Sequence, residues 1–394
     1  MLVFSACETD VVLLQPEQAT ESDAVTLAVQ VTDTALAASL GWTPGTGVPA
    51  AIIHVHRDRT PDLRSFSTDE DGVVEIGDLP SARYWVWAQR RFDAPAEGAP
   101  AVLAGGRLAQ LRRGSTEVIH VRGQERGSLV ISELYYHAAP LAVTGGLDAY
   151  KRQMYVELVN NADTTVYLDG KILGGAFQVN IDISSWPCSE TSTWRNDARG
   201  IWAQSFQRFP GNGTEYPLAP GQTAVVAEQA IDHSAIYPGL PDLRRADFQF
   251  YWEDRAMNPD VPTMLPVQLR HTTSQVMGIA FWVPFVADVP DLDALERGEN
   301  LQGTFALFPR DRILDLAQIV GERYTLYDWT APTCGNLVGY PIDALLSFTG
   351  PDRLRPDAHL LAAQRKVLPD GTLQRTGVSA ADWEIRERSP GGGR

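Results

Sequence analysis

The sequence has little positive charge and no long apolar segment. Its 394 residues include 33 Lys and Arg against 49 Asp and Glu, which gives a formal net charge of −16. A protein that binds nucleic acid needs a basic face to match the phosphate backbone, so this deficit argues against a nucleic-acid partner. No run approaches the roughly eighteen apolar residues of a membrane-spanning helix, so we expect no transmembrane helix.

Familiar catalytic motifs are also missing. The sequence contains no G-x-S-x-G, H-E-x-x-H, P-loop or C-x-x-C pattern. Its seven histidines are scattered, at positions 54, 56, 120, 137, 233, 271 and 359. A Ser-His-Asp site can be assembled from any order of residues, but no feature selects one here. The sequence therefore predicts no catalytic residue and no cofactor, and an enzyme stays an open, unsupported alternative.

Turn residues, in contrast, are abundant. The chain contains 26 Pro and 33 Gly, many of them in P-G, D-G or N-G pairs that favour turns. Between these pairs lie short runs of β-branched and aromatic residues, such as 129–136 and 154–159. This alternation is typical of all-β sandwiches, and the length is sufficient for two or three domains.

The segment 24–122 has the pattern of one small sandwich. Residues 24–31 alternate apolar and polar side chains, as a half-buried strand does. The run 68–88 reads T-D-x-D-G-x-x-x-I-x-D-L-P-x-x-x-Y-x-V-x-A. This run resembles the carboxypeptidase-regulatory-like β-sandwich, a module that is not itself a peptidase. We therefore expect such a sandwich over 24–122, followed by a short linker.

Two features of this segment are also compatible with metal binding. His54 and His56 would point to the same face of a strand, and Asp69 and Asp71 resemble part of a calcium loop. Glu75 stands at the wrong spacing for the bidentate ligand that such a loop requires. Asp-Gly is also the common chemistry of hairpin turns, so a turn without metal is the favoured interpretation.

A second set of strand-like runs begins at residue 127. It reads I-S-E-L-Y-Y, then Y-V-E-L-V-N-N-A-D, then V-Y-L-D-G. Later segments continue the pattern with P-L-A-P-G-Q-T-A-V-V-A at 217–227, and with T-L-Q-R, D-W and S-P-G within 372–391. Together these pieces resemble the immunoglobulin-like domain of the lamin-tail family. The resemblance implies a lamin-tail-like β domain over 127–394, with a large insertion around 177–370.

The predicted fold class is therefore mainly β. We expect two immunoglobulin-like β-sandwich domains, the second with a β-rich insertion that contains a few short helices. Residues 291–297 and 313–320 have helical spacing, and Pro284 predicts that its strand ends there or lies at a sheet edge. Glu133 and Glu157 could be a catalytic acid and base, but their place in the lamin-tail resemblance favours a structural role.

Aromatic residues are concentrated near the start of the insertion, at Trp186, Trp194, Trp202 and Phe206. Clustered aromatic side chains in a loop region can form a binding face. They can equally close a core beneath long loops, and this second interpretation is favoured.

The N-terminal segment 1–23 suggests where in the cell the protein is located. Leu2 to Cys7 resembles the end of a lipoprotein signal, in which an apolar stretch and two small residues precede a lipidated cysteine. The basic segment and longer apolar core of a full signal are not in this sequence, which suggests a truncated signal followed by an acidic tether. The alternative is an ordinary N-terminal strand with a buried cysteine.

The whole layout resembles a family of bacterial envelope lipoproteins of unknown function, often found beside TonB-dependent outer-membrane receptors. The resemblance implies a TonB-dependent receptor, or the ligand that it imports, as the partner. It also implies an outer-membrane location through a lipid on Cys7, on a face that the sequence does not specify. The leading hypothesis is a non-catalytic, lipid-anchored binding protein. The alternatives are an exported hydrolase with a site in the insertion loops, and a structural surface protein.

The cysteines lead to a sharper expectation. The three cysteines stand at positions 7, 188 and 334, and an odd number in an exported protein needs an explanation. If Cys7 carries lipid, Cys188 and Cys334 remain to form a disulfide, which an oxidising compartment permits. The alternative is two buried, reduced thiols.

Overall fold

A computed structural model provides the fold of the chain. It describes residues 24–57, 63–123, 127–135, 152–176, 197, 199–268, 283–300, 303–317, 358–376 and 382–391. In this described part, no helix is both long and apolar enough to span a membrane.

The described residues of 24–123, here called the first unit, form nine strands and one short helix. Their bounds are β1 Val25–Val31, α1 Thr34–Ser39, β2 Thr46–Gly47, β3 Ile52–Arg57, β4 Leu63–Ser67, β5 Val73–Ile76, β6 Ala82–Arg91, β7 Val102–Leu111, β8 Thr116–His120 and β9 Arg122–Gly123. One sheet has β1 paired with β2 and β5 in antiparallel and with β8 in parallel orientation. The other sheet has the order β4-β3-β6-β7-β9.

Alternate side chains along the strands are apolar, and these side chains form the core between the two sheets. In β1, Val25, Leu27, Val29 and Val31 are all buried, and they pack with inward-facing residues of the second sheet such as Val55. Local polar chemistry defines the ends of the elements. The carboxylate of Asp33, for example, accepts from the Leu36 amide at 2.7 Å and so caps α1.

Residues 127–391, here called the second unit, contain the other sixteen strands that the structure describes. Their bounds are β10 Leu129–Tyr135, β11 Tyr155–Asn160, β12 Val166–Tyr167, β13 Ile172–Ala176, β14 Gly200–Ala203, β15 Ser205–Arg208, β16 Pro217–Leu218, β17 Thr223–Ala227, β18 Phe248–Gln249, β19 Leu265–Gln268, β20 Val283–Ala287, β21 Arg297–Asn300, β22 Gly303–Pro309, β23 Ile313–Leu316, β24 Leu361–Arg365 and β25 Trp383–Glu387. Short 3-10 helices span His233–Ala235, Arg310–Arg312 and Ala358–Leu360.

The strands described for the second unit form three layers of sheet. A six-stranded sheet has the order β18-β17-β11-β10-β24-β25, and a five-stranded sheet has the order β19-β15-β13-β20-β23. A three-stranded sheet, β14-β22-β21, lies on the far side of the five-stranded sheet, and β12 pairs with β16 at the periphery. The middle sheet is buried on both faces: Leu173 packs into the core shared with the six-stranded sheet, and Ile172 packs toward the third sheet.

The predicted fold class is confirmed: the protein is mainly β, with stacked sheets and few helices. Three local predictions within the insertion are wrong. Residues 291–297 form a turn, in which the Asp291 carboxylate accepts backbone amides, and then the start of β21. Residues 313–316 are the strand β23. Pro284 lies within β20, which continues to Ala287 between two neighbouring strands.

Pro284 has no N–H to donate, but its carbonyl still bonds at the end of the neighbouring strand β23, since it accepts from the Ala317 amide at 3.0 Å.

Candidate functional site

The two glutamates of the lamin-tail resemblance lie side by side in the six-stranded sheet. Glu133 of β10 and Glu157 of β11 are direct cross-strand partners, and both are buried. Like charges in this arrangement destabilise a sheet unless other groups compensate them. The donors around each carboxylate therefore determine whether the pair could act on a substrate.

The closing segment of the chain supplies many of these donors. Ser389 donates to Glu133 through its backbone amide and its hydroxyl, both at 2.9 Å. The Gly391 amide donates to Glu157 at 3.0 Å. The remaining contacts come from within the sheet, from Tyr155 Oη, Gln364 Nε2 and Ser132 Oγ. Both oxygens of each carboxylate thus accept hydrogen bonds from the protein, as a structural anchor requires.

A second buried polar network joins the same elements to the five-stranded sheet. Arg365 of β24 donates to Asp315 of β23 at 2.7 Å and contacts Asp382 at 3.4 Å. Arg375 reaches the other Asp315 oxygen at 3.0 Å. Burial raises the pKa of Asp382, against the opposing effects of Arg365 and of the Thr376 hydrogen bonds. Each of these charges has partners in the protein, so the network fastens the sheets together rather than offering a free acid or base.

The residues considered for metal binding have other partners. His54 Nδ1 lies 2.8 Å from the hydroxyl of Ser65, and its ring stacks on Trp87 with centroids 4.6 Å apart. Asp69 accepts from the amides of Asp71 and Val73 and so forms a tight turn with Gly72, whose φ is +75°. This turn leads from β4 to β5, which lie in different sheets, so it is a turn but not a hairpin. Among the described residues, no three His, Cys, Asp or Glu side chains are grouped so that they could hold a metal ion.

Two of the four insertion aromatics lie in the core rather than on a binding face. Phe206 is fully buried and packs edge-to-face against Phe308 at 4.8 Å. Trp202 is buried in a small cluster with Phe305 and Leu307, and its indole nitrogen donates to Asp197 at 3.1 Å. Trp202 and Phe206 therefore cannot present an exposed binding surface.

Other predicted site residues lie outside the described part of the chain. These are Cys7, Cys188, Cys334, Trp186 and Trp194. Parts of the insertion, in whose loops a hydrolase site was the alternative, also lie outside the described residues, at 177–196, 198, 269–282, 301–302 and 318–357.

An open groove of about 1140 Å³ at one end of the first unit was not predicted from the sequence. It lies between α1, the turn at 98–100 and the chain segment that leaves β8. Leu36, Pro100 and Val121 provide apolar surface, and His120 and Arg122 provide polar groups. A peptide or small organic molecule could contact both kinds of surface there. The available sequence signal was the capping residue Asp33 before an alanine-rich run.

The two units also touch each other. The guanidinium of Arg91, at the end of β6, donates to the side-chain oxygen of Gln374 at 2.6 Å. Nearby, Lys366 follows β24 and lies close enough to His54 to affect its ionisation. His54, Arg91, Lys366 and Gln374 are here called the junction.

Comparison with known proteins identifies a fold relative but no activity. No family model and no curated protein matches the sequence. The structure is similar to the crystal structure of a DUF4876 family protein from Bacteroides thetaiotaomicron, with a TM-score of 0.50 and 18% identity, over 92% of this chain and 94% of that one. At this identity the likeness shows the fold alone. The similar fold of a protein from a family of unknown function agrees with the predicted resemblance to such a family, but only in fold.

Proposed function

We propose that this chain is a non-catalytic, lipid-anchored protein of the bacterial outer membrane that holds its second unit away from the membrane for binding. The resemblance to envelope lipoproteins implies the partner, a TonB-dependent receptor or the ligand that it imports. In this proposal Cys7 carries the lipid, and the residues up to 23 connect it to the first unit.

The path of the chain through the first unit is the observation that carries this proposal. Ala24 lies next to the β7–β8 turn, since its carbonyl accepts from the Gly114 amide at 3.2 Å. Gly123 lies at the other end, against Leu36 and Pro100. The chain therefore enters at one end and leaves at the opposite end. The seven residues of β1 alone span about 23 Å at the usual rise of a strand, so the first unit is suited to act as a spacer.

The proposed display function can be tested in the native host with the wild-type chain and Cys7→Ser, each carrying the same C-terminal affinity tag. We expect the wild-type chain to fractionate with the outer membrane and to co-purify, after cross-linking, with a TonB-dependent receptor. We expect Cys7→Ser to lose membrane association. Recovery of the wild-type chain only with soluble cytoplasmic proteins would contradict the proposal.

A further inference from the structure

The junction combines an unusual set of charges with a covered aromatic surface. Trp87 lies on β6, where its neighbours Val86 and Ala88 point into the core of the first unit. Its own side chain must point to the outer face of the sheet, because successive residues of a strand alternate. Yet Trp87 is only 5% exposed. The stacked ring of His54 covers part of it.

The second unit approaches this surface with a lysine whose backbone is held on both sides. The Lys366 amide donates to the Asp382 carbonyl at 2.7 Å, and the Lys366 carbonyl accepts from the Gln374 amide at 2.8 Å. Gln374 in turn receives the hydrogen bond from Arg91 across the junction. Lys366 therefore cannot move away from the first unit without disturbing this contact.

The surroundings of His54 favour its neutral form. Burial lowers the pKa of His54, and the positive charge of Lys366 lowers it further. Burial likewise lowers the pKa of Lys366, and Arg91 contributes in the same direction. On the side of the first unit, Ser65 and Trp87 contact the imidazole, and His56 is two residues along the same strand.

Two carboxylates near the junction, Asp382 and Glu384, favour the ammonium form of Lys366. The charge that acts on the pKa of His54 is that of Lys366. A proton on His54 would thus place a third cation beside Lys366 and Arg91 in a partly buried contact, where like charges repel strongly.

We propose that the junction is a proton-sensitive hinge, which is closed while His54 is neutral and opens when the imidazole gains a proton. Opening would separate Arg91 from Gln374 and expose Trp87, while each unit keeps its own core. The two cores share no residues, so the units can part without either unfolding.

Small-angle scattering of the full chain between about pH 7.5 and about pH 4.5 tests the hinge, with circular dichroism as a check on folding. We expect the maximum dimension to increase on acidification, with a midpoint below 6.5. His54→Gln keeps a neutral polar side chain and should stay compact throughout. Lys366→Gln removes the facing cation whose repulsion drives opening, so this variant should open only at a lower pH than the wild-type chain or stay compact.

His120→Gln is the matched control, since His120 lies on the groove and outside the junction. This variant should expand as the wild-type chain does. A wild-type dimension that does not change over this pH range would overturn the proposal, as would equal expansion of folded His54→Gln and wild type. A midpoint in Lys366→Gln that is unchanged or moves to higher pH would also overturn it.

Discussion

Individual buried polar residues have roles that their neighbours in space determine. His233 is fully buried beside its 3-10 turn, and its Nε2 lies 2.9 Å from the carbonyl oxygen of Gln229. A carbonyl can only accept, so Nε2 carries the hydrogen of the neutral ring. Burial lowers the pKa of His233 to about 4, although the Gln229 hydrogen bond and Asp232 oppose this effect.

His233 should therefore make stability depend on pH. The unfolded chain binds the proton near the ordinary pKa of 6.5, and the folded chain does so only near 4. The contribution of this residue to the free energy of unfolding is fully present above pH 6.5. It is lost as the pH falls toward 4, and the total loss is about 3 kcal/mol. Urea unfolding at several pH values should show this slope in the wild-type chain and a smaller one in His233→Gln.

The comparison isolates His233 because other titrating groups are common to both chains. His54 acts in the same direction and would account for a remaining slope. Asp242 has a pKa of about 2, lowered from 3.8, so its contribution to stability is lost only at pH values below those at which His233 titrates. Identical slopes for the two chains would show that His233 is not buried in its neutral form.

At the scale of elements, the closing segment 388–391 works as a clamp on the six-stranded sheet. It supplies three donors to the paired glutamates, two from Ser389 and one from Gly391. Arg388 adds hydrogen bonds to the carbonyls of Gly239 and His359. This segment lies 256 positions along the chain from Glu133, so it joins distant parts of the second unit.

Two truncations test this clamp. Deletion of 388–394 should lower the free energy of unfolding by about 3 to 5 kcal/mol, because buried carboxylates would lose several charge-assisted donors. Deletion of 392–394 is the matched control and should leave stability almost unchanged, since the clamp stays complete. Thermal and urea unfolding provide the measurement. Equal stabilities of the two truncated chains would show that the clamp contributes little.

At the scale of the whole molecule, a disulfide between Cys188 and Cys334 would close much of the insertion into one loop. In the chain-entropy model such a long loop contributes roughly 5 kcal/mol, although measured gains are often smaller. Protein purified from an oxidising compartment should show one reducible bond and no free thiol at these positions by mass spectrometry after alkylation.

Serine variants add a second measurement for this disulfide. Cys188→Ser, Cys334→Ser and the double variant should lose the same amount of stability, because either single change already breaks the bond. Alkylation of both thiols without reduction would defeat the prediction, and would weaken the case for export.

Several features could be predicted from the sequence because they depend on neighbours along the chain. The alternation in 25–31 determines a strand, and the chemistry of Asp69 and Gly72 determines a tight turn. The lamin-tail resemblance favoured a structural role for Glu133 and Glu157, and both carboxylates accept hydrogen bonds from the closing segment. The mainly β class followed from many such local patterns together.

The tertiary structure alone decided which distant elements meet. The six-stranded and three-stranded sheets cover the two faces of the middle sheet of the second unit, so Ile172 and Leu173 are both core residues. No period-two pattern distinguishes their partners. The groove and the junction likewise combine residues that lie far apart in sequence. Periodicity records which face of an element is apolar, but it contains no information about which other element covers that face, because pairing and packing depend on contacts across the whole chain.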